Sequence, residues 1–323
     1  MKQNLIPTIN ISSILNEGFN SKKSIKTIIE IKKACLNIGF FQITGHGISK
    51  KNIQNVCNVG NKFFNSSNKN KIKLAPRKWN YNNKNIYRGY FPNDVNGKEG
   101  LDIGDLKVTR KYALKTKEDY IEYINLNKSL NIKSIKMLAE YFDDVFFLGE
   151  TLFKIIIKLY NTDISKSKFA FSRPKTLSTL RLNYYSEQKK PVEISKQDGV
   201  ALGCETHVDS GIFTILYQDK KGGLQVQNRK NKKWYNVPFN KNALVVNTGL
   251  ALEYLSKKKF KATNHRVLFN KKKRMSIPFF LEPSYDFKMN KSFFSSKNYS
   301  KNTGINYNSF LKNSLKKFIE YKR

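Results

Sequence analysis

The hydrophobic pattern of the first half of the chain is mainly helical. Apolar residues recur every three or four positions over 24–37, 49–64 and 132–160, and the third of these stretches is the longest. Between the first two, Gly39 to Ile48 predicts a short strand that ends in a glycine turn. The polar, lysine- and asparagine-rich stretch from Ser66 to Lys84 predicts a mobile loop. A helical N-terminal region with one strand is therefore expected.

After Ser172 the period of the pattern changes from helical to strand-like. Short β-rich runs, separated by turn signals, occupy 177–185, 211–217, 223–227, 234–237, 243–247, 265–269 and 275–281. Many short strands with few helices between them favour an antiparallel barrel or jelly roll over a doubly wound parallel sheet. A closing helix is predicted over 307–321. The expected fold class is mixed α/β (α+β), with the helical N-terminal half wrapped against a β core.

The length and composition indicate one soluble globular domain. The 323 residues are 39% hydrophobic, enough for a sizeable core, and no internal repeat or linker divides them. The N-terminus resembles no secretory signal, and no apolar run approaches the roughly 18 residues of a membrane-spanning helix. The three cysteines, Cys35, Cys57 and Cys204, form no C-x-x-C pair, so neither a disulfide framework nor a thiolate zinc site is expected. We expect a cytoplasmic monomer.

The charge of the chain is strongly positive. Lys and Arg number 60 against 24 Asp and Glu, a net charge of +36, which by itself suggests nucleic acid, anionic membranes or acidic substrates. However, the lysines are spread along the whole chain and accompany abundant Asn, Ile, Phe and Tyr, the residues that an A/T-rich coding sequence favours. We interpret the charge as compositional, so a nucleic-acid partner is not expected. It still favours anionic ligands.

Two of the three histidines lie in the β half beside an aspartate. In a strand, residues two apart face the same side, so His207 and Asp209 can present an imidazole and a carboxylate to one ion. His265 would have to come from a facing strand to complete the set. Two imidazoles and one carboxylate suit iron(II) and leave three coordination sites open. His-x-Asp alone is a weak signal, because a lone histidine is more often a hydrogen-bonded structural residue.

A second polar pair follows nine residues after His265. Strand alternation places the Arg274 guanidinium and the Ser276 hydroxyl on one face, where they can bind a carboxylate. The alternative interpretation of Arg274 is one more surface charge, since three lysines precede it. Its apolar strand context favours an inward side chain.

Together these residues resemble the isopenicillin-N-synthase-like branch of the 2-oxoglutarate- and iron(II)-dependent dioxygenases. The resemblance covers roughly residues 5 to 285, and its ordered combination is more specific than any single motif. The matching segments, in family order, are Ile6–Asn10, Gly39–Phe41, Gly45–Ile48, Tyr87–Tyr90, Leu180–Tyr185, His207–Leu216, Gly222–Val226, His265–Val267 and Arg274–Ser276.

The resemblance implies a double-stranded β-helix at 172–285, with an N-terminal region at 5–110 and a C-terminal helical extension at 286–323. It implies that His207, Asp209 and His265 ligate iron, and that Arg274 and Ser276 bind the carboxylate of 2-oxoglutarate. Tyr185 and Asn183 would add hydrogen bonds to this co-substrate, and dioxygen would be the oxidant. His46 matches a fold motif and is expected to be structural. Leu250 stands where an aspartate is common in the family, which leaves the local packing around the ligands open.

Three questions stay open at this point. The substrate is expected to be a small molecule, and the same chemistry can lead to hydroxylation, desaturation or ring closure. Arg88 can hold a substrate carboxylate above the iron, or it can be a surface residue. The first alternative function is an oxidase that uses no 2-oxoglutarate, like isopenicillin N synthase or the plant ethylene-forming oxidase. The second is a non-catalytic basic protein that binds a polyanion.

Overall fold

The computed structural model describes residues 5–93, 97–107, 122–187, 190–295 and 300–317. Helices lie mainly in the N-terminal half and at the end of the chain. They are α1 Ser12–Glu17, α2 Lys22–Asn37, α3 Lys50–Phe64, α4 Asn68–Ile72, α5 Ile132–Lys158, α6 Ser167–Ala170, α7 Leu250–Leu255 and α8 Tyr307–Leu315.

Most of the strands follow in the second half. They are β1 Thr8–Asn10, β2 Phe40–Thr44, β3 Gly89–Phe91, β4 Glu99–Ile103, β5 Thr179–Tyr185, β6 Glu193–Ile194, β7 Ala201–His207, β8 Phe213–Gln218, β9 Leu224–Gln227, β10 Trp234–Asn236, β11 Leu244–Thr248, β12 His265–Leu268, β13 Arg274–Leu281, β14 Lys288–Met289 and β15 Ile305–Asn306. Short 3₁₀ turns at 126–128, 164–166 and 173–175 complete the described elements.

Two sheets form the core of the fold. The larger has the order β1-β2-β11-β8-β13-β5-β4-β3, and the smaller has the order β10-β9-β12-β7-β6. All pairings are antiparallel except that of β1 with β2. Neighbouring strands are often far apart in sequence, as in a jelly roll. The predicted mixed α/β jelly-roll class is confirmed.

Helix α5 covers the outer face of the larger sheet. Its N-cap Asn131 accepts a hydrogen bond from the backbone N–H of Ser134 at 2.8 Å, which satisfies one of the free donors of the first turn. Phe142 meets Phe279 of β13 edge to face, with ring centroids 5.1 Å apart. At Gly149 an added Cβ would lie 2.9 Å from Leu281, so glycine allows the helix to approach the sheet closely. These contacts hold β13 in place on its outer face.

The two faces of β5 and β13 have different chemistry. Leu180, Leu182 and Tyr184 point outward into the large core that includes α5. Tyr185 points inward, into a second cluster whose residues come from both sheets. Since side chains alternate along a strand, Arg181 and Asn183 share the inward face with Tyr185. The space between the sheets therefore has polar walls at defined positions.

Three expectations from the sequence need correction. The stretch 66–84 is not simply a loop, because it contains α4, capped by Ser67, and it buries Leu74 and Ala75. Strands β1, β3, β4, β6, β7, β14 and β15 were not predicted. The closing helix ends at Leu315, and the end of its predicted range, 318–321, lies outside the described residues.

Among the helices of the described ranges, none combines the length and apolar character needed to cross a bilayer.

Candidate metal centre

The three predicted ligands converge at one end of the smaller sheet. His207 is the last residue of β7 and His265 is the first of β12, and the two residues are partners in the antiparallel register. His207 Nε2 lies 3.8 Å from Asp209 Oδ1, and His265 Nε2 lies 3.7 Å from Asp209 Oδ2. One ligand atom from each residue falls within 4.8 Å of the others. This spacing suits three ligands on one face of a single ion.

The interactions that position Asp209 differ from the predicted ones. It lies beyond the end of β7, so strand alternation with His207 is not what aligns the two side chains. Instead its carboxylate is held by Thr214 Oγ1 at 2.5 Å and by the side-chain amide of Asn247 at 2.8 Å. The backbone N–H of Leu250 donates to the Asp209 carbonyl at 2.9 Å. Thr214 and Asn247 were not predicted as site residues, although both lie in segments singled out in the sequence.

Backbone carbonyls orient both imidazole rings. His207 Nδ1 lies 2.8 Å from the carbonyl of Glu205, and His265 Nδ1 lies 3.1 Å from that of Thr263. A proton on Nδ1 satisfies each contact and makes Nε2 the ligand atom of each ring. Phe40 also meets the His265 ring edge to face at 5.3 Å. His46, by contrast, lies in the turn after β2, where its Nδ1 accepts from the backbone N–H two residues on.

The protonation states of the three groups depend on one another. Burial alone would raise the pKa of Asp209, but His265, His207 and two hydrogen bonds hold it below its usual range. Burial, together with the neighbouring His207, lowers the pKa of His265 to about 4. Burial also acts to lower the pKa of His207, but Cys204 and Asp209 outweigh it and raise this pKa to about 9. A divalent metal held here would need the ionised carboxylate and a neutral imidazole from each histidine.

The predicted co-substrate residues line the inner faces of β5 and β13. In the register of these strands, Arg274 is opposite Tyr185 and Ser276 is opposite Asn183. Each of the four side chains is buried, and the Arg274 guanidinium stacks on the Tyr185 ring at 4.7 Å. Within the described chain, Nε and Nη1 of Arg274 have no hydrogen-bond partner. A buried guanidinium with unpaired donors fits a carboxylate ligand, so these residues suit the predicted co-substrate.

Comparison with known sequences identifies the family of the chain. The sequence model of the 2OG-Fe(II) oxygenase superfamily matches residues 176–283, and that of the non-haem dioxygenase in morphine synthesis N-terminal region matches residues 6–137. A probable iron/ascorbate oxidoreductase of Dictyostelium discoideum is 30% identical over 310 residues, which cover 87% of this chain and 82% of the relative. The chain belongs to the 2OG-Fe(II) oxygenase superfamily.

A further relative agrees with this assignment, and a solved structure shares the fold. An isopenicillin N synthase of Streptomyces griseus is 28% identical over 87% of this oxygenase and 85% of its own length. A dioxygenase for auxin oxidation from Arabidopsis thaliana, solved as its complex with 2-oxoglutarate, shares the fold with a TM-score of 0.70, at 20% identity, over 90% of this chain and 98% of its own. The predicted family branch, fold, enzyme class and cofactors are confirmed: the protein is an iron(II)- and 2-oxoglutarate-dependent oxidoreductase.

A cavity of about 110 Å³ opens beside the candidate metal ligands. His207 and Asp209 form part of its wall. Its other lining residues include four apolar ones, Leu177, Phe280, Leu311 and Leu315, and four charged ones, Arg88, Asp102, Arg181 and Glu282. Arg181 and Asp102 form a bidentate ion pair at 2.5 and 2.6 Å. Leu311 and Leu315 come from α8, so the C-terminal helix contributes to this wall.

Arg88 lies in this cavity wall and is buried, which argues against the surface interpretation. Its guanidinium donates to the carbonyls of Leu177 and Ser178 at 3.2 and 3.3 Å, and to that of Glu122 at 3.4 Å. The Glu122 carboxylate in turn accepts from the backbone N–H groups of Tyr87, Arg88 and the residue before them. Burial raises the pKa of Glu122 to about 7 against these hydrogen bonds. No sequence motif marked Glu122, which is an isolated carboxylate.

Proposed function

We propose that the oxygenase holds iron(II) with His207, Asp209 and His265, binds 2-oxoglutarate with Arg274 and Ser276, and oxidises a small molecule in the adjacent cavity. The observation that carries this proposal is that, among the described residues, two nitrogens of the buried Arg274 guanidinium have no hydrogen-bond partner. Bound iron supplies the activation of dioxygen at the expense of 2-oxoglutarate.

The residues of this chain position the co-substrate. Tyr185 lies under the guanidinium and fixes its plane, so that the unpaired Nη1 of Arg274 can donate to a carboxylate in that plane. Ser276, on the same face of β13, can donate its hydroxyl proton to the same carboxylate. Asn183 has a buried, unpartnered Oδ1 among the described residues, and its amide can adapt to the ligand.

The apolar residues of the cavity exclude water from the reacting C–H bond. Leu177, Phe280, Leu311 and Leu315 form a wall that favours an apolar part of a small substrate beside the metal. Binding of an anionic substrate group by Arg88 remains a prediction. The Arg88 guanidinium already donates to three backbone carbonyls. The same chemistry can lead to hydroxylation, desaturation or ring closure.

Replacement of Arg274 tests the assigned co-substrate site. In anaerobic titrations of the iron-loaded protein, Arg274→Met should weaken 2-oxoglutarate binding by about 100-fold or more, because a buried charge-assisted contact is lost. Arg274→Lys should be intermediate, since it keeps the charge but not the fork. Lys273→Met, which removes an exposed charge next in sequence, is the matched control.

The activity assay supplies iron(II), oxygen and ascorbate and follows succinate formed from 2-oxoglutarate. Wild-type protein should form succinate, and Arg274→Met should not. If the affinity for 2-oxoglutarate and the formation of succinate were the same in Arg274→Met as in the wild type, the assigned co-substrate site would be wrong.

A further inference from the structure

Glu282 follows the last residue of β13 and lies in the wall of the cavity beside the metal ligands. It is 4% exposed. Since Arg274, Ser276, Phe280 and Glu282 are separated by even numbers of residues, they continue along one inward face. The co-substrate residues occupy one end of this face, and Glu282 occupies the other. No family motif in the sequence included it.

The backbone around Glu282 is firmly held. Its N–H donates to Ser178 Oγ at 3.0 Å, and its carbonyl accepts from Thr176 Oγ1 and from Ser178 Oγ, each at 3.1 Å. On the side of Glu282 these contacts involve main-chain atoms only, so they leave its carboxyl group available. They also fix the direction of the side chain, which is what a preorganised binding group needs.

The carboxyl group itself is poorly satisfied. Oε1 receives one long hydrogen bond, from Ser210 Oγ at 3.5 Å. Oε2 is buried and has no hydrogen-bond partner in the part of the chain that the structure describes. Arg88, the nearby cation, directs its guanidinium at backbone carbonyls. Burial and the nearby Asp209 raise the pKa of Glu282 to about 8. An unsatisfied buried acceptor costs roughly 1–3 kcal/mol, which a ligand donor can recover.

We propose that Glu282 is a specificity-determining residue of the oxygenase, and that its Oε2 accepts a hydrogen bond from an N–H group of the substrate. The inference rests on the proposed function and narrows its substrate to small molecules with an apolar body and an amine or ring N–H at the end beside the metal. The apolar residues of the cavity receive the body, and the carboxyl at the end of β13 receives the N–H group.

Two matched pairs of probes test this assignment. Benzylamine and N,N,N-trimethylbenzylammonium have the same charge, but only the first has an N–H donor. Thymine and 1,3-dimethylthymine are both neutral, and again only the first can donate. Each probe is titrated by calorimetry into zinc-loaded protein saturated with 2-oxoglutarate, because zinc has no redox chemistry and no turnover occurs. The two pairs distinguish an ammonium donor from a ring N–H.

Wild-type protein should bind the N–H member of at least one pair about tenfold more tightly than its methylated partner, as expected where a buried polar group is left unpaired by the analogue. Glu282→Met, of similar length but without an acceptor, should reduce this preference to less than about threefold. Glu282→Gln keeps one carbonyl oxygen and should restore part of the preference for a neutral N–H. Glu193→Met, on the exposed strand β6, should retain the wild-type preference.

The inference is overturned if neither N–H probe is preferred by the wild type, if Glu282→Met retains the preference, or if it loses 2-oxoglutarate binding in parallel. Failure of the proposed function gives a different result, because 2-oxoglutarate would then not bind the wild type at all. The co-substrate affinity is therefore measured in every sample before the probes are added.

Discussion

His265 and His207 are direct partners in the register of β12 and β7, so the metal centre depends on the pairing of two strands that the whole of 208–264 separates in sequence. Removal of either imidazole should abolish stoichiometric iron binding. Because loss of an outer hydrogen-bond partner alone costs about 10–100-fold in metal affinity, His207→Ala and His265→Ala should each cost more than roughly 100-fold. Anaerobic metal titration measures this.

His46 provides the matched control, since it is the third histidine of the chain and lies in the turn after β2. His46→Ala should bind iron as the wild type does. Equal iron affinity in all three variants would contradict the assigned ligand set.

Thr214 holds one oxygen of the Asp209 carboxylate at 2.5 Å. Thr214→Val keeps the shape but removes the donor, so the carboxylate is less well oriented and the iron affinity should fall by about 10–100-fold. Thr206→Val, an exposed position of β7, is the control and should leave the affinity unchanged. The same metal titration decides the matter: an unchanged dissociation constant for Thr214→Val would show that Asn247 alone is sufficient.

Gly249 brings α7 against the turn that follows Asp209. A Cβ added there would lie 2.2 Å from the carbonyl oxygen of Gly211, a backbone atom that cannot move aside alone. Gly249→Ala should therefore lower the free energy of unfolding by about 1–3 kcal/mol, as overpacking does, in urea denaturation. At Gly100 the nearest atom would be 3.8 Å away, so Gly100→Ala should have little effect. A stability of Gly249→Ala equal to that of Gly100→Ala would argue against this close contact.

Asp198 forms a bidentate ion pair with Arg266, whose side chain is almost fully buried, at 2.9 and 2.7 Å. Hydrogen bonds from Arg266 and then Ser195 hold the pKa of Asp198 well below its ordinary value of about 3.9. A depressed folded-state pKa stabilises the fold above that ordinary value, and the stabilisation is lost as the pH falls towards the folded-state pKa.

The difference in free energy of unfolding between wild type and Asp198→Asn should thus be larger at pH 6 than at pH 3. Its size is modest, because the Asp198 side chain is 32% exposed and solvent screens the pair. Urea denaturation at both pH values measures it, with Glu193→Gln as the exposed control. If the difference in free energy of unfolding increased towards pH 3, the prediction that folding lowers the pKa of Asp198 would be wrong.

The sequence pointed to the three residues that cluster in the structure, but for an incomplete reason. Alternation along a strand was expected to align His207 with Asp209, whereas the strand ends at His207 and the carboxylate is placed by Thr214, Asn247 and the backbone of Leu250. Local periodicity describes a strand but not the turn after it. Where long-range hydrogen bonds decide the position of a side chain, the pattern of neighbours contains no signal.

The same limit explains the other omissions. Strand β7 carries Gly203, Cys204 and Glu205 in place of a simple apolar alternation, so its period was not visible. Glu122 and Glu282 are single carboxylates, and what makes them notable is burial, which only the folded chain reveals. The ordered family motifs supplied the co-substrate candidates because these lie at fixed positions in β5 and β13, namely Asn183, Tyr185, Arg274 and Ser276.

Strand β13 joins the predicted co-substrate residues to Glu282. Arg274 and Ser276 lie at its beginning, and Glu282 follows its last residue, so about eight residues of strand, at roughly 3.3 Å each, set the separation of the two ends. Deletion of a single residue between Ser276 and Phe280 would shorten this separation by one step and turn one half of the strand inside out relative to the other. The distance between the predicted co-substrate residues and Glu282 is thus set by the number of residues in β13, which insertions or deletions change and substitutions do not.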